Sequence, residues 1–463
     1  HRKISSLFLQ SLQPESLLQQ SPLSSFEPIL LSGNVRSLRP FLFDLLAFRA
    51  LDYFERDEAD LSKPEEAYEI KETEAFLPAQ KFQLHVFQSA DSFSSKWIAL
   101  KIYQKLLRAH LKEGHSAAGL IDADLHRLQF IAEQSVIERK DSLYYSALQD
   151  LIRRFPNEPA LDQVYYLTAR WHADQGVKQP GREENPLLLA KQICERVMGR
   201  KDSTEGKINC QRLYQELMQQ EFQVRTEKVN LPDRPFRALI SYKNIQQIYV
   251  RIAVLSDEEQ HFLQGLAPYC EAYWGKLGSL PAIKTYAQPL PATTDLKDHQ
   301  VEIKLDALPT GTYAITYSLR DNFSSKDNQL SIHLVNISGL AWIRLQNDLY
   351  VVNRETGAPV TDAVVQTWIR QYDPVQQQFL FEKGVQHISD QQGKVSLQER
   401  TGSDNSAIRL QLLYQNDHLF LEEDLIPQGS HPRRPRLHSG FKVFYSQTVL
   451  YTVPDNCCFS KES

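Results

Sequence analysis

The spacing of apolar residues changes once along this chain, and that change constrains the fold more than any other feature of the sequence. Up to about residue 218, apolar side chains recur every three to four positions, as over 97–107, which is typical of amphipathic helices. Beyond it, apolar and polar side chains alternate, as over 248–254, which is typical of strands with one buried face. The sequence therefore predicts an α-helical region followed by β-sheet structure.

The clearest part of the helical region, 1–218, is the segment 143–176. An apolar helical stripe runs from Leu143 to Phe155, the segment 156–159 breaks it, and we expect Gly176 to end the helix that follows. Two short antiparallel helices joined by a Phe-Pro-Asn turn resemble a tetratricopeptide-type hairpin, and a weaker second copy lies over 188–217. An ordinary helical bundle is the alternative interpretation of the same pattern.

The alternating part of the chain predicts two β-sandwiches. The first covers 219–335 and carries a helical insertion at 257–277, and the second covers 336–425. Because the strands alternate and short turns join them, we expect antiparallel sheets with one face open to water. Gly357 and Gly393 lie in tight turns that favour a positive φ, which glycine adopts without steric cost. Residues 426–463 are predicted to be a linker, rich in Pro, Arg, Gly and Ser over 428–440, and an incomplete tail.

No pattern that carries chemistry is found in the sequence. Lys+Arg 52 against Asp+Glu 57 gives a net charge of −5, which excludes proteins that bind nucleic acids or membrane surfaces through a basic excess. No apolar run approaches the roughly 18 residues of a membrane span. The sequence contains no Gly-rich phosphate loop, His-Glu-x-x-His, Gly-x-Ser-x-Gly or Cys-x-x-Cys, and its 13 histidines are scattered. We therefore expect no catalytic, cofactor-binding or metal site, and a protein that is not an enzyme.

The cysteines are too few to build a disulfide scaffold. There are 5, at positions 194, 210, 270, 457 and 458. Cys194 and Cys210 fall on the apolar faces of predicted helices, and we expect them to be small buried side chains. A disulfide between them is the alternative in a compartment that oxidises thiols.

Four stretches of sequence together resemble a known family. They are LSGNVRSLRPFLFDLLAFRALDYF at 31–54, LPTGTYAITYSL at 308–319, DLYVVNRETGAPVTDAVVQTW at 348–368 and SDQQGKVSL at 389–397. In this order behind a helical region, they resemble the N-terminal part of large bacterial α2-macroglobulin-family proteins. The resemblance covers most of the chain, 20–440.

This resemblance implies a function for the intact protein. Family members are endopeptidase inhibitors that trap proteases, and the two sandwiches would be macroglobulin-like domains. In many members a protease cleaves a bait segment, and a thioester inside a Cys-x-Glu-Gln motif then acylates that protease. The resemblance implies proteases as partners and the periplasm or cell envelope as the location, although no secretory signal opens this chain. The chain contains no Cys-x-Glu-Gln and no recognisable bait segment, so we do not expect it to inhibit alone.

The tail suggests that the reading frame slipped near 430–443. In the family, the next domain opens with a motif close to Thr-Asp-Arg-Ser-Ile-Tyr-Arg-Pro-Gly-Gln. Codons allowed for residues 445–456 give that motif when they are regrouped from the last base of the Tyr445 codon. We therefore expect the tail to be out-of-frame text, and a gene whose tail codons cannot be regrouped in this way would exclude the hypothesis.

A second function remains open from the sequence. Stacked helical hairpins present a surface that can hold a partner chain, and sandwiches serve as spacers or docking sites. The alternative prediction is therefore a non-catalytic scaffold that binds a protein partner on its helical region.

Overall fold

The computed structural model describes residues 2–30, 37–56, 67–112, 116–178, 184–265, 270–345, 348–373, 378–397 and 408–425. The chain divides into two compact units, His1–Met218 and Gln219–Ser463. The linker and tail predicted at 426–463 lie outside the described residues.

The regular secondary structure in the described part of the first unit is helical. Two 3₁₀ helices, Leu23–Ile29 and Thr73–Phe76, lie among its α-helices. The α-helices are α1 (Arg2–Ser11), α2 (Glu15–Gln20), α3 (Leu42–Phe54), α4 (Ala79–Phe82), α5 (Ser95–His110), α6 (Ala117–Gln134), α7 (Lys140–Arg154), α8 (Leu161–Lys178), α9 (Pro186–Met198) and α10 (Glu205–Met218).

Side-chain caps fix where several of these helices begin. The hydroxyl of Ser94 accepts from the backbone N–H of Trp97 at the start of α5, and that of Ser116 caps α6 in the same way. Asn185 caps α9, whose first residue is Pro186; proline suits that position because it lacks an N–H that would otherwise be unsatisfied.

The apolar stripes of α2 to α8 meet in one core. The predicted helices over 41–51 and 97–107 are confirmed as α3 and α5, and their inward side chains, Phe43 and Tyr103 among them, are almost fully buried. The core continues through α6 to Leu148, Leu151 and Val164 on α7 and α8. Burial of this continuous apolar surface is the main stabilising contribution to the unit.

The hairpin at 143–176 is formed by α7 and α8, but the prediction that Gly176 ends the second helix is wrong. Helix α8 continues to Lys178, and Gly176 is buried inside it. A Cβ at Gly176 would lie 2.8 Å from the side chain of Leu187 on α9. The glycine therefore allows two helices to approach closely and does not serve as a C-terminal cap.

The second unit is built mainly from strands. Two helices, α11 (Asp257–Gly265) and α12 (Glu271–Ser279), lie between its fourth and fifth strands. The strands are β1 (Glu221–Thr226), β2 (Val229–Asn230), β3 (Phe236–Lys243), β4 (Gln247–Leu255), β5 (Ala282–Pro289), β6 (His299–Leu305), β7 (Gly311–Ser318), β8 (Leu330–Ile337), β9 (Leu340–Leu345), β10 (Asp348–Asn353), β11 (Val364–Asp373), β12 (Gln378–Ile388), β13 (Lys394–Ser396), β14 (Ile408–Tyr414) and β15 (Asp417–Leu425).

The first sandwich packs a three-stranded sheet, in the order β1-β3-β6, against a five-stranded sheet, in the order β2-β8-β7-β4-β5. All of its pairings are antiparallel except that of the short β2 with β8, which is parallel. The core between the sheets contains Ile240, Val250, Ile315 and Tyr317. These residues come from alternate positions of the strands, as the sequence pattern predicts.

Part of the outer face of the five-stranded sheet is covered by helices, whereas the prediction left that face open to water. Helices α11 and α12 pack Leu263 and Leu277 against it, over Ala253 and Ala314. Strand β4 carries apolar residues on both faces at this point, with Ile252 pointing to the inner core. The first sandwich is therefore a three-layer structure at this face, with helices as the third layer.

The second sandwich has sheets in the orders β13-β10-β9 and β12-β11-β14-β15, and all of their pairings are antiparallel. Leu349, Val365 and Leu412 form the centre of its core. The turns behave as predicted, with φ of 71° at Gly357 and 73° at Gly393. The predicted class, helices followed by antiparallel β-sandwiches, is confirmed.

Candidate interaction surfaces

A groove of about 310 Å³ opens on the helical unit between the 3₁₀ helix Thr73–Phe76, α6 and α7. Its walls are apolar and its charges come in pairs. It is lined by Thr73, Phe76, Leu77, Pro78, Asp124, Arg127, Leu128, Leu143, Ser146, Ala147, Asp150 and Arg154.

The charges of this groove are already engaged with one another. A carboxylate oxygen of Asp124 lies 2.6 Å from the guanidinium of Arg127, and both side chains are almost fully buried. Arg154 lies 2.8 Å from Asp150. Because two carboxylates face two guanidinium groups, the groove offers no net charge to a ligand. Both of these pairs lie within one helix, and Arg154 also lies 3.7 Å from Asp124, which links α7 to α6.

An aromatic stack lies on the α7–α8 hairpin. The rings of Tyr145 and Trp171 are stacked with centroids 4.2 Å apart, and His172 meets both rings edge-on. The indole N–H of Trp171 donates to the carbonyl of Asp141 at 3.2 Å. All three rings are half-buried and stay partly open to solvent. Partly exposed Trp and Tyr are the side chains most often found at the centres of protein interfaces.

A second cavity, of about 260 Å³, lies between α12 and the outer face of the five-stranded sheet. Among its described lining residues, Arg251 alone is charged. Its guanidinium donates to the carbonyls of Gly278 and Leu280 at the end of α12. Because the Arg251 guanidinium already binds the carbonyls at the C-terminus of α12, its charge is not free to bind a ligand. The cavity is therefore a gap between the helical layer and the sheet, with both polar and apolar side chains in its wall. It is lined by Arg251, Trp274, Gly275, Leu277, Gly278, Thr316, Phe323, Ser325, Leu330 and Ile332.

Polar contacts join the insertion to the second sandwich. Asp257, in the first turn of α11, accepts from the side-chain amide of Gln411 at 3.2 Å and lies 3.1 Å from Nδ1 of His418. Asp417 accepts from the backbone N–H of Gly339 at 2.7 Å, at the point where the chain passes from one sandwich to the next. The two sandwiches therefore form one unit through side chains that the sequence pattern does not single out.

Several described groups have displaced pKa values, and two of them, the half-buried Glu55 and His333, line neither of these cavities. Burial raises the pKa of Glu55 to about 7, and its partner is the hydroxyl of Tyr103, which donates to it. Burial lowers the pKa of His333 to about 4. Displaced values mark a functional site when the groups face a cleft. Here Glu55 packs against the helical core, and His333 lies on the face of β8 opposite the cavity residue Ile332.

The described part of the chain holds no group of three or more His, Cys, Asp or Glu side chains that could bind a metal ion. None of its helices is both long enough and apolar enough to cross a membrane.

The chain is similar to solved structures of α2-macroglobulin. One is native α2-macroglobulin from Escherichia coli spanning domains NIE-MG1; the match covers 44% of this chain and 97% of that chain, with 18% identity and a TM-score of 0.31. Another, from the same organism, spans MG0-NIE-MG1; the match covers 43% of this chain and 64% of that chain, with 16% identity and a TM-score of 0.33. No family model matches the chain, and no curated protein does.

The sequence predicted no site residues, and it missed the groups that the fold brings together at these surfaces. Trp171 lies within the predicted hairpin 143–176, for which the sequence indicated no exposed cluster, and it stacks on Tyr145 across that hairpin. Asp257 and His418 are 161 positions apart. Aromatic residues on both facing helices were a usable signal for the stack, whereas nothing local indicates the contact between the insertion and the second sandwich.

Proposed function

We propose that this chain is the N-terminal part of an α2-macroglobulin-like protein of the cell envelope, where it is a non-catalytic framework. The observation that carries the proposal is the order of the structure: a helical unit and then two consecutive antiparallel sandwiches. The second sandwich contains the two turns, around Gly357 and Gly393, that belong to the resembling stretches 348–368 and 389–397.

In the intact protein this framework would take part in trapping an endopeptidase. A trap encloses the protease by moving some of its domains. The N-terminal part must then supply a rigid base, in which the domains hold one another in place. The polar contacts of Asp257 with Gln411 and His418 suit that role, because they join the two sandwiches. The chain has no Cys-x-Glu-Gln, so it supplies no thioester of its own.

A protease assay with two substrates tests this proposal. A serine protease is incubated with an excess of the chain, and cleavage of a large protein and of a small peptide is followed. We expect both rates to match those of the protease alone, since a framework neither encloses nor blocks the enzyme. Loss of both activities at equimolar chain would show direct active-site inhibition and would overturn the proposal.

A second candidate function, protein binding by the helical unit, is favoured by the aromatic stack of Tyr145, Trp171 and His172. Such a stack presents large, rigid surface with little conformational entropy to lose on binding. The half-buried position of the rings leaves part of that surface open to a partner.

Substitution within the stack tests the second candidate. The immobilised full chain captures proteins from an envelope extract, and the captured proteins are identified by mass spectrometry. Trp171→Ala should abolish capture of a specific partner, with Tyr166→Ala, a half-buried tyrosine on the same helix, as the matched control. Equal capture by wild type and both variants would place binding elsewhere.

A further inference from the structure

Two cysteines face each other at the end of the helical unit. Cys194 lies on α9 and Cys210 on α10, and each has an exposed fraction of 0%. Helices α9 and α10 pack against each other and bring the two thiols close enough to interact. Both sulfurs are free in this structure, so the pair is a buried dithiol.

The segment that joins α9 to α10, and the start of α10, are held against α8. Gly206, at the start of α10, packs on the backbone of α8 so tightly that a Cβ would lie 2.2 Å from the carbonyl carbon of Asp162. The carboxylate of Asp162 accepts from Arg200 and from Thr204, both at 2.7 Å, in the segment that joins α9 to α10. These contacts fix the connection, and with it the position of Cys210 relative to Cys194.

The interaction between them makes the two thiols chemically unequal. It lowers the pKa of Cys194 and raises that of Cys210, so Cys210 is the donor and keeps its proton. Where α9 and α10 have paired, Cys194 is therefore the more readily ionised thiol, and the thiolate is the form that attacks a disulfide.

We propose that Cys194 and Cys210 are a dithiol–disulfide pair, which a small-molecule or protein disulfide closes as the chain folds. The proposal does not rest on the proposed function. It decides between the two expectations for these residues, a pair of small buried side chains or a cross-link.

The exchange balances with one equivalent of the oxidant. The Cys194 thiolate attacks one sulfur of the oxidant disulfide, which breaks that bond, forms a mixed disulfide and releases one thiolate. Cys210 then loses its proton and attacks the Cys194 sulfur, which forms the intramolecular bond and expels the second thiolate. The protein loses two electrons and two protons, and the oxidant disulfide becomes two thiols.

Peptide mapping of the full chain tests the proposal. The chain is unfolded and reduced, refolded in a mixture of reduced and oxidised glutathione, unfolded again with iodoacetamide to block free thiols, and digested with trypsin. Cleavage after lysine and arginine gives the five-residue peptides 192–196 and 208–212, one with each cysteine. We expect these peptides to be found mainly as one cross-linked species, which dithiothreitol separates, while Cys270 is alkylated.

A control variant guards against random pairing. Cys270→Ser should leave the cross-link unchanged, because Cys270 only caps α12, a role that serine fills well. The proposal is overturned if peptides 192–196 and 208–212 are recovered fully alkylated. It is also overturned if either cysteine is joined to glutathione or to the cysteines at 457 and 458.

Discussion

At the scale of single residues, the least expected side chain is a buried arginine. Arg127 has an exposed fraction of 1%. Its guanidinium pairs with Asp124, donates to the carbonyl of Ala75 and lies 4.2 Å from the ring centroid of Phe82. Burial lowers its pKa, and the Asp124 carboxylate opposes that shift. The fold therefore depends on a charge that is stable only while each of its partners is in place.

Removing this arginine should strongly destabilise the helical unit. Arg127→Met leaves the Asp124 carboxylate buried beside the more distant Arg154, and we expect a loss of about 3–5 kcal/mol in the free energy of unfolding. Arg153→Met is the control, since Arg153 is largely exposed and its ion pair with Asp150 should contribute less than about 1 kcal/mol. Urea unfolding measures both, and equal losses would contradict this account.

The sequence could not indicate this burial. Arg127 lies in a helix whose stripe predicts burial for the apolar residues beside it, and an arginine there reads as part of a solvated face. Its partners Ala75 and Phe82 lie on separate elements far along the chain. Only tertiary packing brings them together, so no local pattern contains the information.

At the scale of elements, the two glycine turns of the second sandwich differ in a way that their sequences do not show. Both have positive φ, and the sequence identified both. At Gly357 a Cβ would meet open space, whereas at Gly393 it would lie 2.3 Å from the backbone carbonyl oxygen of Val351. The difference arises from the pairing of β10 with β13, which the local turn sequence does not contain.

Alanine substitutions should separate these two turns. Gly357→Ala meets only the strain of a left-handed backbone and should cost about 1 kcal/mol. Gly393→Ala adds a clash with a backbone carbonyl that is held in the sheet, and we expect it to cost more than about 2 kcal/mol. Thermal unfolding of the two variants side by side checks the order, and a smaller effect at Gly393 would refute the close approach.

The prediction that Gly176 ends its helix was wrong because a neighbouring helix packs against this glycine. Glycine near the end of a helical pattern favours a C-terminal cap, but here Leu187 packs onto the glycine and the helix continues. The covered outer face of the first sandwich is a similar case, because apolar residues on that face indicate a third layer only once the insertion is placed over them. Both errors concern contacts between elements, whereas the types of the elements were predicted correctly.

At the scale of the whole molecule, each unit carries a half-buried titratable group, and the two groups respond to acid in opposite ways. The raised pKa of Glu55 means that the folded helical unit holds a proton that the unfolded chain releases above pH 4.5. The lowered pKa of His333 means that, below pH 6.5, this histidine binds a proton in the unfolded chain but not in the folded sandwich. The contribution of Glu55 therefore falls as the pH rises from 4.5 to about 7, and that of His333 is lost as the pH falls from 6.5 to about 4.

Each unit should show its own pH dependence of stability. Relative to Glu55→Gln, wild type should lose about 1–3 kcal/mol in the helical unit between pH 4.5 and 7. Relative to His333→Gln, wild type should gain a similar amount in the β unit between pH 4 and 6.5. Hydrogen exchange of peptides from each unit reports the two free energies separately, and changes of the same sign in both units would disprove the assignment.

The helices over the first sandwich also limit how this chain can be shortened. Excising 257–279 to leave a minimal sandwich would strip the cover from Ala253, Ala314 and their apolar neighbours Ile332 and Leu334. The uncovered strands would expose an apolar sheet surface of the kind through which proteins self-associate. The helical insertion between β4 and β5 therefore keeps this apolar surface away from water, and truncated versions of the chain should retain it.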